Sequence, residues 1–409
     1  MAGHARTIAS VSWGDHIEWG EGSARLGSFD DMARSVERWV ARDGTDRIHF
    51  RENRYYTRYG RATRHDPRGD TWLRPTFDES AAILEAGHAA GLPVHLYATI
   101  YDDLWLDTDW AWPWDPSTNW LSDHVRDHPD DVMVDRDGRE RLHGVLDYNV
   151  ARARQARVSI LAELLDEHAW DGLFICTRSQ SRPAAHGDQF GFNDASLRLY
   201  ADRHGGDARD PDVDLDAWRG VRGEGLTALL RDLRTMTQAR GIELSMGIPR
   251  GDVLGPPVGN LRLDWRTWLA EGLIDALVIG QLNEICPSAW VHLWPEATVD
   301  GYLCDPVRRV GLRPLHEDLD QVVGPAAAAA HVPLYLSRLH DHPDPNAEAA
   351  LMAGHPLLAG LQISTFRRDL ADAASELPWR RTLEWPDGRN GWDPDRGLIR
   401  IELPAGGGR

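Results

Sequence analysis

The feature that most constrains this chain is a strand-like run followed by a helical pattern, repeated eight times. Thr7 to Trp13 is the first run, and the helical pattern after it puts Phe29, Met32, Val36, Trp39 and Val40 on one face. Ser28 is placed to cap that helix, with Asp31 three residues on. Arg47 to Arg51 is the second strand and leads to a helix from Phe77 to about Ala90, where Thr76 and Glu79 have capping-box spacing. Gly91-Leu92-Pro93 stops that helix and starts the third strand, Val94 to Ile100, whose helix spans Val150 to His168. Strand four is Gly172 to Thr177, and its helix carries Leu226, Leu229, Leu230 and Leu233. Strand five, Ile242 to Ile248, leads to a helix capped by Asp264 and bearing Trp265, Trp268 and Leu269. Strand six is Ala276 to Gln281, followed by a weaker helix over about His316 to Ala330 that Gly324-Pro325 interrupts. Pro333 to Arg338 is strand seven, with a helix near Asn346 to Ala353. Leu358 to Phe366 is strand eight, with a helix near Leu370 to Leu377.

Eight such pairs predict an α/β fold, a (β/α)8 TIM barrel over residues 1–377. A doubly wound sheet would carry a glycine-rich phosphate turn after its first strand. Here Ser12-Trp13-Gly14-Asp15 stands in that place and no GxGxxG occurs. Helix-to-strand connections are short. Strand-to-helix connections are long, above all Asp102–Asn149 and Arg178–Val221, and loops of that kind all emerge at the rim where barrel enzymes keep their sites. The short apolar run Leu398 to Leu403 predicts that residues 378–409 form a β extension packed on the barrel.

Composition narrows the chemistry. The chain contains no lysine, which excludes Schiff-base aldolases and pyridoxal-phosphate enzymes, and also the P-loop. A formal net charge of −19 argues against nucleic acid as a partner. No run of about 18 apolar residues exists to span a membrane. Met1 to Ser12 lacks the basic start and apolar stretch of a secretory signal, so the expected location is cytoplasmic unless a leader was removed. Cys176, Cys286 and Cys304 lie too far apart in sequence to suggest a disulfide framework or a cysteine metal site. No cofactor is expected.

Residues just past each strand face the site in a barrel. That rule selects Trp13, Asp15 and His16; Arg51, Glu52, Asn53, Tyr55 and Tyr56; and Tyr101, Asp102 and Asp103. It also selects Arg178, Ser179 and Gln180; Arg250 and Asp252; Gln281, Asn283 and Glu284; and Arg338, His340 and Asp341. Carboxylates supply the acid and base of glycosidic cleavage, while amides and arginines hydrogen-bond hydroxyls. Arg178, Arg250 and Arg338, if convergent, would suit an anionic sugar. Trp105, Trp110, Trp112, Trp114 and Trp120 crowd one loop, to pack as a lid or to stack on a ligand. His340-Asp341-His342 and His316-Glu317-Asp318 have metal-ligand chemistry, yet both read as polar loop or helix start, so no metal is assigned.

Leu146-Asp147-Tyr148-Asn149 before a helix, then Trp170-Asp171-Gly172-Leu173-Phe174-Ile175, resembles the glycosidase-like barrels grouped as family-10-like hypothetical glycosyl hydrolases. Leu263-Asp264-Trp265 with Glu271-Gly272-Leu273-Ile274-Asp275 is similar to that family's stretch before strand six, and the likeness covers roughly residues 80–285. The resemblance implies a carbohydrate-acting barrel. The family's acids at the end of strand four are replaced here by Cys176, Thr177 and Arg178, so the catalytic carboxylates are expected elsewhere. Glu284 and Asp252 are favoured, beside glycines or prolines that shape tight loops, with Glu52 or Asp102 as substitutes. Two other classes stay open: a non-catalytic carbohydrate-binding barrel, and a metal-dependent lyase or isomerase on the same fold.

Overall fold

A computed structural model describes residues 6–18, 20, 22–62, 76–105, 120–139, 141–177, 188, 190–249, 251–254, 258, 260–280, 318–338, 355–372, 392–393 and 398–399. Eight strands close into a barrel: β1 (Arg6–Ser12), β2 (Thr45–Arg51), β3 (Val94–Thr99), β4 (Gly172–Cys176), β5 (Glu243–Gly247), β6 (Ala276–Ile279), β7 (Leu334–Arg338) and β8 (Gly360–Ser364). Each strand pairs in parallel with its neighbours in sequence, and β8 closes onto β1. All eight expected strands are present, trimmed by a residue or two at their ends, except that β1 starts one residue earlier and β2 two residues earlier than expected.

The helices between them are α1 (Phe29–Asp43), α2 (Glu79–Ala89), α3 (Ala151–Asp166), α4 (Leu215–Arg240), α5 (Trp265–Ala270), α6 (Val323–Ala329) and α7 (Thr365–Asp372). Ser28 caps α1 as expected, its hydroxyl accepting from the Asp31 N–H at 3.2 Å. Gly44 ends α1 at φ 63°, a conformation that favours glycine. The cap of α2 differs from expectation. Asp78, not Thr76, accepts from the Ala81 N–H at 2.8 Å, and Glu79 is the first helical residue. Asp264 caps α5 through the Thr267 N–H. The Gly324-Pro325 break falls in the first turn of α6, after a π-helical turn at Asp318–Val322. There a Cβ on Gly324 would come within 1.9 Å of the Leu319 carbonyl oxygen. The expected helix near Asn346 to Ala353 lies outside the described residues. Trp392–Asp393 pairs antiparallel with Leu398–Ile399. No helix among the described residues is long and apolar enough to cross a membrane.

Both faces of each barrel strand are buried, so the period-two alternation sorts side chains into two compartments. Ala9, Val11, Leu96, Leu173, Ile175, Leu277, Ile279 and Leu336 point outward under the helices. Ile8, Tyr97, Phe174, Cys176, Ala276, Val278 and Tyr335 point inward. Polar residues complete the interior. His49 stacks on Phe174 at 4.1 Å and on His95 at 5.3 Å between ring centroids. Gln362 approaches the His49 Nδ1 at 3.0 Å, and Arg47 pairs with Glu243 at 2.9 Å.

His49 and His95 are fully buried, and burial, with Arg47 nearby, holds both well below the ordinary histidine range. Between the depressed folded value and the ordinary value of about 6.5, the unfolded chain binds protons that the folded chain does not. Their contribution is therefore complete above about pH 6.5 and is lost as the pH falls, by up to about 1.4 kcal/mol per histidine per pH unit. Melting temperatures measured from pH 7.5 to 5 should fall less steeply for His49→Gln and His95→Gln than for the parent. Parallel slopes would show that neither histidine titrates on unfolding.

Candidate active site at the barrel mouth

β2 places Arg51 two residues beyond His49, on the same inward face, at the C-terminal mouth. Its guanidinium lies 5.7 Å from the centroid of the Tyr56 ring, and the side chain is buried with its Nε and Nη1 lacking any hydrogen-bond partner. Burial works against the charge, but Tyr56, Asp15 and Asp102 outweigh it and hold Arg51 firmly protonated. Asp102, fully buried, accepts from the Tyr56 and Thr99 hydroxyls, both at 3.2 Å. Asp15 sits in a short helix, Trp13–Glu18, that follows β1 directly. It is half-buried, and no group among the described residues donates to its carboxylate. On the adjacent strand β3, Tyr97 hydrogen-bonds Cys176 of β4, whose thiol burial pushes up to about 12. Arg51, Asp102 and Asp15 thus lie near one another at the C-terminal end of the barrel, with a neutral thiol beside them.

Other expected rim residues are used for architecture. The Trp13 indole donates to the Leu26 carbonyl at 3.0 Å and meets Phe77 edge-on. Tyr101 packs against Tyr148 with centroids 5.2 Å apart. Glu52 turns away from the mouth and accepts the backbone N–H groups of Arg54 and Tyr55 at the start of the short helix Arg54–Arg58. Burial, reinforced by Glu79, raises its carboxyl to about 7. Asn53 precedes that helix and lies against Gly14, where an added Cβ would sit 3.3 Å from its Oδ1. Trp120 is packed as well, donating to the Tyr56 carbonyl at 2.7 Å. Asp252 accepts from the Trp265 indole at 2.9 Å and from Arg266 at 3.0 Å, which ties the loop after β5 to the first turn of α5. Arg338 ends β7. Glu284, Arg178, Arg250, Gln281, Asn283 and His340 lie outside the described residues. No group of three His, Cys, Asp or Glu among the described residues is arranged to hold a metal.

One network escaped sequence reasoning. Asp103 accepts from the Tyr55 hydroxyl at 2.7 Å and from Arg157, and Arg157 also reaches the Tyr148 hydroxyl at 3.2 Å. Asp103 and Arg157 are both about fully buried, with side chains 1% and 2% exposed. The signal was present in α3, where Arg157 interrupts the buried stripe Ala153, Leu161, Leu164 and Leu165 at helical spacing. This pair anchors the start of the long loop after β3 to the helix that follows it.

No family model and no curated protein matches the chain. Its neighbours among solved structures include glycoside hydrolases. The catalytic domain of a β-amylase from Paenibacillus polymyxa is 10% identical, with 92% of this chain and 100% of that one covered and a TM-score of 0.47. An α-L-fucosidase from Paenibacillus thiaminolyticus is 13% identical over 92% of this chain and 50% of its own, with a TM-score of 0.46. A chitinase from Chromobacterium violaceum is 11% identical over 91% of this chain and 100% of its own, with a TM-score of 0.40.

Removing one partner of a buried ion pair leaves the other uncompensated and costs about 3–5 kcal/mol. Asp103→Ala and Arg157→Met should each destabilise by that order in urea denaturation. The double variant should lose much less than the two single losses added together. Additive losses would mean the pair is not coupled.

Proposed function

We propose that this chain is a glycoside-hydrolase-like enzyme that cleaves an oligosaccharide or glycoside at the mouth of its barrel. The observation that carries the reading is the mouth itself, where β2 sets Arg51 close to Asp102, past the end of β3, and to Asp15, past the end of β1. Hydroxyl groups both donate and accept, and such a mixed surface is what they require. Glu284, in the loop after β6, is the general acid of this proposal. Asp252, held in one orientation by Trp265 and Arg266, is the base or nucleophile. A carboxyl separation of about 5–5.5 Å would give retention of configuration, and about 6.5–9.5 Å inversion.

A second reading, a carbohydrate-binding barrel without turnover, is favoured by the end of β4. There Cys176 and Thr177 are buried, Cys176 bonded to Tyr97 and Thr177 turned to the Gly247 carbonyl. Nothing acidic stands at those two positions.

The purified protein incubated with neutral and acidic oligosaccharides should release shorter products detectable by mass spectrometry. Glu284→Gln should lower kcat by about 10²–10⁴-fold with little change in melting temperature. Unchanged turnover would remove Glu284 from the mechanism. Products from no glycan, with a glycan still raising the melting temperature, would favour the binding reading. For Asp252→Asn a chemical role predicts a comparable fall in kcat. A loop clamp alone predicts a lower melting temperature with kcat within a few-fold of the parent.

A further inference from the structure

Glu79, the first residue of α2, is fully buried, and neither of its carboxyl oxygens has a hydrogen-bond partner. An ionised carboxylate without a donor is among the costliest groups an interior can hold, so a group placed like this keeps its proton. A second buried carboxyl, Glu52, stands near it. The ion pair of Arg54 with Asp78 brings them together, because it fastens the start of the short helix Arg54–Arg58 to the start of α2. Glu52 is the better placed of the two to carry charge, since it accepts the N–H groups of Arg54 and Tyr55. We propose that Glu52 and Glu79 hold one proton between them, and that this proton is a pH-sensitive latch on the helix that carries Tyr55 and Tyr56 to the barrel mouth.

The short helix reaches the mouth through three contacts. Tyr55 donates to Asp103 at 2.7 Å, Tyr56 donates to Asp102 at 3.2 Å, and the Tyr56 carbonyl accepts the Trp120 indole at 2.7 Å. Loss of the shared proton leaves two like charges in one low-dielectric pocket, and opening the helix to water relieves them. The charged groups facing the pair are Arg54 on the short helix and Asp78 at the cap of α2. Behind them, past the end of α3, stand Glu167 and His168, and Arg58 pairs with Glu167. Arg54 is divided among Asp78, Glu167 and His168, so it does not neutralise the carboxyl pair. Arg157 of α3 faces Tyr55 from the other side and is committed to Asp103.

Burial raises both carboxyls, and with Glu79 beside it Glu52 is pushed up to about 7. Between the ordinary value of about 4.3 and this raised one, the closed helix binds a proton that the opened helix does not. The latch is therefore tightest at acidic pH and weakens as the pH rises to about 7. His49, His95 and His168 act in the opposite direction, because burial lowers them and their contribution is lost as the pH falls. The sign of the response thus separates the carboxyl pair from the histidines.

Amide hydrogen exchange of the intact protein, followed by mass spectrometry and corrected for the intrinsic rate at each pH, reads the latch without any substrate. Protection of the amides from Arg54 to Tyr59 should fall as the pH is raised from about 5 to 7, by up to about 10-fold per pH unit, and should level off above that. Glu79→Gln, which keeps the shape of a protonated carboxyl, should lose most of this slope and be better protected than the parent at about pH 7. The double variant Glu52→Gln with Glu79→Gln should be flat. Glu79→Met, of similar volume and without a proton, should behave as Glu79→Gln does and guards against a fold defect peculiar to one variant. A purely structural role for Glu79 would lower protection at every pH and leave the slope in place. An infrared band of a protonated carboxyl, present in the parent at about pH 6 and lost in Glu79→Gln, would support the shared proton independently. Protection in the parent that is level or rises with pH, or a slope that survives in the folded double variant, would overturn the inference and leave the proposed reaction untouched.

Discussion

Two-sided burial of parallel strands is the constraint on which the rest depends. Once eight strands close on one another, every strand residue must go either under the helices or into the barrel, and none can be left to solvent along the middle of the strand. The outer compartment of this chain is filled by Leu, Ile and Val, as parallel strands usually are. The inner one is not. His49, His95 and Gln362 share its middle with Phe174, and Arg47 and Glu243 pair at one end of it. Imidazoles can fill such a space only in their neutral form, which is why burial and the pH response of the fold are one fact seen twice. The same alternation determines the site. With His49 fixed inside, Arg51 can point only into the mouth, while Glu52, one residue later, must leave it.

That alternation was readable in the amino-acid sequence because burial on both faces leaves short apolar runs between turn signals, and all eight strands follow from it. What the sequence did not specify was local hydrogen-bond geometry. Thr76 with Glu79 has the spacing of a capping box, yet Asp78 caps the helix and Glu79 is buried behind it. Spacing alone cannot distinguish two adjacent candidates when both side chains can reach the same N–H groups. The site was legible in position and not in direction. The rule that residues past a strand line the rim collected Arg51, Asp102 and Asp15, which lie near one another at the mouth, and with them Glu52, Trp13 and Tyr101. Glu52 is held by backbone N–H groups, Trp13 by the Leu26 carbonyl and Tyr101 by Tyr148. Arg157 was overlooked for the opposite reason. It lies in mid-helix, far from any strand end, and only its place on an apolar stripe marks it.

Which side chains remain uncommitted is the better guide to chemistry at this rim. Asp103 is consumed by Arg157 and Tyr55. Among the described residues Asp15 has no such obligation, and the guanidinium of Arg51, with Nε and Nη1 unpaired, stands near it. Native proteins tolerate unsatisfied buried donors chiefly where a ligand or ordered water completes them.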